Sequence, residues 1–163
     1  MKFKGFMVIA VLLILAWPGS GFAASVGDTS PEFVLKSLDG TEYRSDAIIG
    51  KKPLMLVFWA TWCPNCKEEI PALKKIHADF GKQGLELIAV NVGMNDSAAK
   101  MKRYIEKYKI TYPVAFDKGS EISKRFKVQG TPTVIILDKS GIVRYRSAVV
   151  PDDLEKHYEN LAK

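Results

Sequence analysis

The sequence predicts an α/β domain built as a mixed β-sheet flanked by helices. Three observations carry this expectation. Residues 54–60 are a continuous apolar run of strand length, as expected of a strand buried on both faces, and residues 85–92 read as a second buried strand. A helix-length segment separates them, which is what a parallel β–α–β unit requires. Residues 133–137 and 143–146 flank a turn at 139–141 and read as an antiparallel pair. At 163 residues the chain is long enough for one domain with a sizeable core.

The elements follow in order. Lys2 and Lys4 precede an uncharged apolar run from Gly5 to Trp17, which Pro18 and Gly19 break. A basic start, a short apolar stretch and small residues at Gly21 and Ala23 read as a secretory signal peptide cleaved after Ala23. The alternative is a retained membrane anchor, since the run approaches the length of a span, about 20 residues, if it is counted on to Ala24. The chain thus divides into residues 1–23, signal peptide or anchor, and residues 24–163, the folded domain. Residues 25–31 read as a polar linker. Residues 33–38 alternate apolar and polar, Asp39-Gly40 signals a hairpin turn, and 41–44 is the return strand.

A helix is expected over 64–82, with Pro64 at its first position, a kink at Pro71, and Gly81 and Gly84 at its end. Ser97 reads as the N-cap of a helix running to Tyr108. Residues 113–116 form a short strand and 120–126 one or two helical turns. Pro151 opens a final helix with Asp152 and Asp153 in its acidic first turn.

Composition narrows the function. The chain is 47% hydrophobic and 26% charged, as in ordinary soluble domains. Residues 1–23 hold two lysines and no acid, so the net charge of +6 becomes +4 without them. The short basic clusters at 51–52, 74–75 and 100–103 have acids nearby and read as solvated faces, which argues against nucleic-acid binding.

Only two cysteines are present, Cys63 and Cys66. A structural disulfide between them would close a tiny loop, and stabilisation by a cross-link grows with loop length. A zinc site would need two further ligands. His77 and His157 are the only histidines, and both sit in lysine- and acid-rich helical segments that read as surface. A redox pair remains. Cys63 falls at the N-cap, where unpaired N–H groups and the helix dipole favour an anion. It is expected to be the accessible, low-pKa attacking thiolate, and Cys66, one turn inside, the buried resolving thiol. Trp59 reads as core packing and Trp62 as the edge of a docking surface.

Trp62-Cys63-Pro64-Asn65-Cys66 after Val57-Phe58-Trp59-Ala60, with Gly130-Thr131-Pro132-Thr133 downstream, resembles the thioredoxin superfamily. Within it the chain is similar to the exported TlpA/ResA/CcmG-like branch. Pro31-Glu32-Phe33, Leu38-Asp39-Gly40 and Gly50-Lys51 before the core, an extra helix and strand across 92–117, and Glu69 three residues after Cys66 carry that narrower match. The resemblance spans residues 26–162. It implies a thioredoxin fold with an N-terminal β-hairpin and a central helix–strand insertion. It implies a thiol–disulfide oxidoreductase with no cofactor and no metal, acting as a monomer on disulfide-containing exported proteins, often in cytochrome c maturation. A membrane thiol donor of the CcdA or DsbD type would supply its electrons.

The resemblance also implies a cis bond before Pro132, with the Thr131 backbone free to pair with an extended substrate. Trp62, Pro64, Thr131 and Pro132 are then the substrate-binding set. One departure is informative. Where cytosolic-type thioredoxins carry a buried aspartate, this chain has Val57. Glu69, on the same helix face as Cys66, is the natural replacement. Burial would raise its pKa and fit it to take the Cys66 proton, whereas Glu68 reads as a helix-terminal charge. A DsbA-like oxidant remains open as the opposite redox direction. A peroxiredoxin lacks its Pro-x-x-x-Thr-x-x-Cys pattern here, and a copper metallochaperone its Cys-x-x-x-Cys and downstream histidine.

Overall fold

The computed structural model describes residues 25–163; residues 1–24, on which the signal-peptide or anchor expectation falls, and the His157 side chain lie outside the described residues. The chain forms β1 (Val34–Lys36), β2 (Glu42–Arg44), α1 (Ser45–Ile48), β3 (Leu54–Trp59), α2 (Pro64–Glu68), α3 (Ile70–Phe80) and β4 (Glu86–Asn91). It continues through α4 (Ala98–Tyr108), β5 (Val114–Phe116), α5 (Glu121–Arg125), β6 (Thr133–Leu137), β7 (Val143–Ser147) and α6 (Leu154–Leu161). No helix among the described residues is long and apolar enough to cross a membrane.

Five strands make one mixed sheet in the order β5-β4-β3-β6-β7. β3, β4 and β5 run parallel, while β6 and β7 are antiparallel to their neighbours. Every residue of the central β3 is buried, which is why its sequence is apolar without alternation. Each such side chain contributes about 1.5–3 kcal/mol on burial, an upper bound. The active-site strand is therefore strongly held in the core.

β1 and β2 form a separate hairpin. It docks on the free edge of β5 through an isolated Ser37–Ala115 bridge and the Leu38 N–H donating to Val114 O at 2.9 Å. Phe33, just before β1, packs against Phe126, which in turn packs against Phe58 of β3. The hairpin therefore covers a strand edge that would otherwise be open to pairing. The extra helix and strand are α4 and β5, inserted between β4 and α5.

Four expectations change. Residues 25–31 are not a free linker: Gly27 N donates to Val143 O and Val143 N to Asp28 O, with a bridge from Thr29 to Ile142. Backbone groups make this pairing, so side-chain composition does not reveal it. The helix after the cysteines is split into α2 and α3 at Glu69, two residues before Pro71, because proline cannot donate the ladder hydrogen bond. The last helix starts at Leu154 rather than Pro151, leaving Asp153 at its N-cap and Glu155 as its first-turn acid. His77 is half-buried with a shielded Nδ1 rather than a solvated surface residue.

Candidate active site

β3 delivers the site. The strand ends at Trp59, Ala60 is buried, and the Cys63 N–H donates back to Ala60 O at 3.2 Å, closing a turn into α2. Cys63 is the N-cap of α2, and Pro64 follows at its first position, where a missing N–H costs nothing. Cys63 and Cys66 are joined as a disulfide, and Cys63 Sγ accepts the Cys66 N–H at 3.1 Å. The backbone N–H that meets the sulfur here is one that a helix start leaves without a helical partner.

β6 brings the second half. Its pairing with β3 sets Thr133 opposite Phe58, so Pro132 lies just beyond the strand end that leads to the cysteines. The Thr131–Pro132 bond is cis.

Comparison with known proteins agrees with this geometry. Residues 26–146 match the AhpC/TSA family. The chain is 33% identical over 141 residues to the thiol-disulfide oxidoreductase ResA of Geobacillus kaustophilus, covering 85% of this chain and 79% of that protein. It is 29% identical to the ResA of Halalkalibacterium halodurans over 168 residues, covering 100% of this chain and 94% of that protein. A thiol:disulfide interchange protein of the thioredoxin family from Chlorobium tepidum superposes with a TM-score of 0.68 at 26% identity, covering 85% and 99% of the two chains. The chain belongs to the AhpC/TSA family, within the thioredoxin superfamily. It is a thiol–disulfide oxidoreductase of the ResA type.

The expected site residues of this oxidoreductase fall into two groups, each lining its own cavity. On one side, Trp62 and Thr131 share a largely apolar groove of about 400 Å³ with Val92, Met94, Val128 and Gly130. Trp62 is half-exposed, and its Nε1 donates to Met94 O at 2.8 Å. Pro64 is exposed beside it in sequence. On the other side, Cys66, Glu69 and Pro132 line a small enclosed cavity with Val57, Trp59 and Tyr104. Glu69 is half-buried, and its Oε2 accepts the Val150 N–H at 3.0 Å, which ties the β7–α6 loop to the helix break. Glu68 is exposed.

One expectation about the cysteines is corrected. Cys63 is 4% exposed and Cys66 5%, so in the oxidised form burial does not separate them. The disulfide and the N-cap hydrogen bond draw Cys63 Sγ against the helix end. What distinguishes the two is position, Cys63 at the cap and Cys66 against the enclosed cavity.

Sequence reasoning missed the residues that hold the turn before Cys63. Asp96, in the loop before α4, accepts hydrogen bonds from Thr61 N at 2.8 Å, from the Thr61 hydroxyl, and from Asn91 Nδ2 at 2.8 Å. Asn91 Oδ1 in turn accepts the Gly93 N–H at 3.0 Å. Asn91 is fully buried at the end of β4, and a polar residue closing an apolar strand was the one available signal.

Proposed function

We propose that this oxidoreductase is exported and acts as a reductant of disulfides in specific exported proteins, for example in cytochrome c maturation. The observation that carries the mechanism is the shared cavity: Cys66 and Glu69 both line one small space, while Val57 leaves the strand without an acid there.

The reduced protein begins with Cys63 as thiolate, favoured by the start of α2. Its sulfur attacks one sulfur of the substrate disulfide, and the other substrate sulfur leaves as thiolate and takes a proton. Cys66 then loses its proton to Glu69 and attacks Cys63 Sγ. The bond between Cys63 and the substrate breaks, the second substrate thiol is released, and the Cys63–Cys66 disulfide remains. Two electrons pass from the enzyme dithiol to the substrate. Trp62, Pro64, Thr131 and Pro132 hold the substrate segment beside Cys63, with the Thr131 backbone pairing to an extended chain. A membrane thiol donor of the CcdA or DsbD type restores the dithiol, and the enzyme works as a monomer. Residues 1–23 direct export, cleaved after Ala23 or kept as an anchor, and residues 24–163 form the working domain.

Two measurements test this reading. Cys66→Ala, expressed in the native compartment, should hold exported cysteine-containing proteins covalently on Cys63, and Cys63→Ala should hold none; equal or stronger capture through Cys66 in the Cys63→Ala variant would overturn the assignment. The reduction potential should lie near thioredoxin's value of about −270 mV, and a value near DsbA's, about −120 mV, would make the protein an oxidant.

A further inference from the structure

Met94 is a large apolar side chain that the fold keeps in solvent. It is 57% exposed, whereas Met55 and Met101 are fully buried, and Met1 and Met7 lie outside the described residues. The loop that carries it is pinned on three sides. Asn91 Oδ1 accepts the Gly93 N–H at 3.0 Å, Trp62 Nε1 donates to Met94 O at 2.8 Å, and Lys100 Nζ donates to Asn95 O at 3.0 Å. Gly93 and Asn95, the neighbours of Met94, both take left-handed backbone, a conformation that these two residue types accept most readily. Met94 and the half-exposed Trp62 line one groove with Thr131, so the two exposed apolar side chains form a shared rim rather than standing singly.

We propose that Met94 is a site of reversible oxidation by peroxides, and that its sulfoxide weakens docking of the substrate in this groove. The inference rests on the reading of the groove beside Trp62 and Thr131 as the place where substrate docks, and not on the direction of electron flow. In the reaction the thioether sulfur attacks one oxygen of hydrogen peroxide. An S–O bond forms, the O–O bond breaks, and the sulfur loses two electrons. The proton on the transferred oxygen passes to the departing hydroxide, which leaves as water.

Two features direct the oxidant to Met94. In the oxidised protein Cys63 and Cys66 are joined to each other and 4% and 5% exposed, so no thiol of the site competes for it. The other described methionines are sealed in the core. The consequence follows from polarity. A thioether is soft and apolar, and an apolar substrate side chain can displace water from it at little cost. A sulfoxide oxygen holds water by hydrogen bonding, and docking must then strip that water from a largely apolar groove that includes Val92 and Val128. Met94 is thus a specificity-determining residue whose polarity the oxidant changes, while the disulfide chemistry is untouched.

Hydrogen peroxide added to the oxidised protein should place one oxygen on Met94 at least about ten times faster than on Met55 or Met101, as read by peptide mapping. The probe for docking is a peptide with two cysteines, each flanked by leucine and phenylalanine, and dithiol–disulfide exchange with it is run in the direction that the measured potential favours. Peroxide treatment should raise KM for this peptide about three- to tenfold with kcat nearly unchanged, and methionine sulfoxide reductases A and B together should restore it. Met94→Gln, polar and of similar length, should raise KM as the sulfoxide does. Met94→Leu should show the same KM before and after peroxide. If Met94→Gln has the wild-type KM, the groove does not hold the substrate, and the docking reading falls together with this proposal. If Met94→Gln raises KM but peroxide spares Met94, or Met94→Leu responds to peroxide as wild type does, or the reductases leave KM raised, the docking reading stands and the oxidation switch alone is overturned.

Discussion

The β3–α2 segment and the inserted stretch from β4 to β5 serve the same site by different physical means. β3 is held by burial of every one of its side chains and presents Cys63 at the start of a helix. The insertion reaches the site through two polar contacts, Asp96 to Thr61 and Met94 O to Trp62, and one ring contact, Tyr104 against Trp59. Burial is non-directional and tolerates exchange of one apolar residue for another. Hydrogen bonds demand a given atom at a given distance. The core segment supplies the chemistry, and the insertion aims it.

The largest effect tests the core half of that contrast. Cys63→Ala should lower disulfide reduction at least about a thousandfold, because no other thiol lies at the helix start. An insulin-type reduction assay reads it, and residual activity above a tenth of wild type would break the contrast at its foundation.

Next come the polar contacts of the insertion. Asp96→Ala leaves Thr61 and the fully buried Asn91 side chain without their acceptor, and should cost about 2–3 kcal/mol in denaturant unfolding. Asp96→Asn, which keeps an acceptor oxygen, should lose about half as much. Gly93 sharpens the point. Its φ is +72°, and a Cβ there would meet Asp117 O at 2.2 Å, so Gly93→Ala should cost about 1–3 kcal/mol and loosen the loop bearing Met94. Wild-type stability for both variants would show that the loop can reorganise freely, and the aiming role would fall.

Glu69→Gln keeps size and hydrogen bonding but cannot accept a proton. It should fold normally and slow overall reduction about tenfold, with mixed disulfides lingering, whereas Glu68→Gln should change the rate less than twofold. Equal effects from the two variants would reduce Glu69 to a helix-terminal charge.

The smallest expected effect is alkaline. Burial raises Tyr104 to about 12 from an ordinary value of 10.0, and raises Tyr112 and Tyr158 as well. Unfolding lets these hydroxyls ionise at their ordinary value. The stability they protect is thus intact below pH 10 and lost as pH rises towards 12. Tyr104→Phe should shift the alkaline midpoint upward by a few tenths of a pH unit, roughly, against an unchanged midpoint at neutral pH.

What was legible in the sequence follows from what each element depends on. Leu54–Trp59 and Thr133–Leu137 could be placed because strands buried on both faces need apolar side chains throughout, whatever lies beside them. Ser97 could be recognised as an N-cap because its hydroxyl serves the Lys100 N–H three residues away, a contact internal to the chain segment. Cys63 and Cys66 could be paired and assigned to redox chemistry because spacing, the helix start and the lack of other thiols are all local facts. Glu69 could be singled out as a candidate from its i+3 offset.

Only the tertiary structure decided the rest. The docking of the hairpin on β5 and the pairing of residues 25–30 with the β6–β7 turn are backbone contacts, to which side-chain identity is nearly blind. The partnership of Asp96 with Thr61 joins residues 35 apart, and that of Glu69 with Val150 joins residues 81 apart. The cavity behind Cys66 exists only where β3, α2, α3, β4, α4, the stretch after α4 and Pro132 converge. Periodicity and spacing report on interactions within a few residues of chain. A site lined by residues from separate segments is visible only once packing has brought them together.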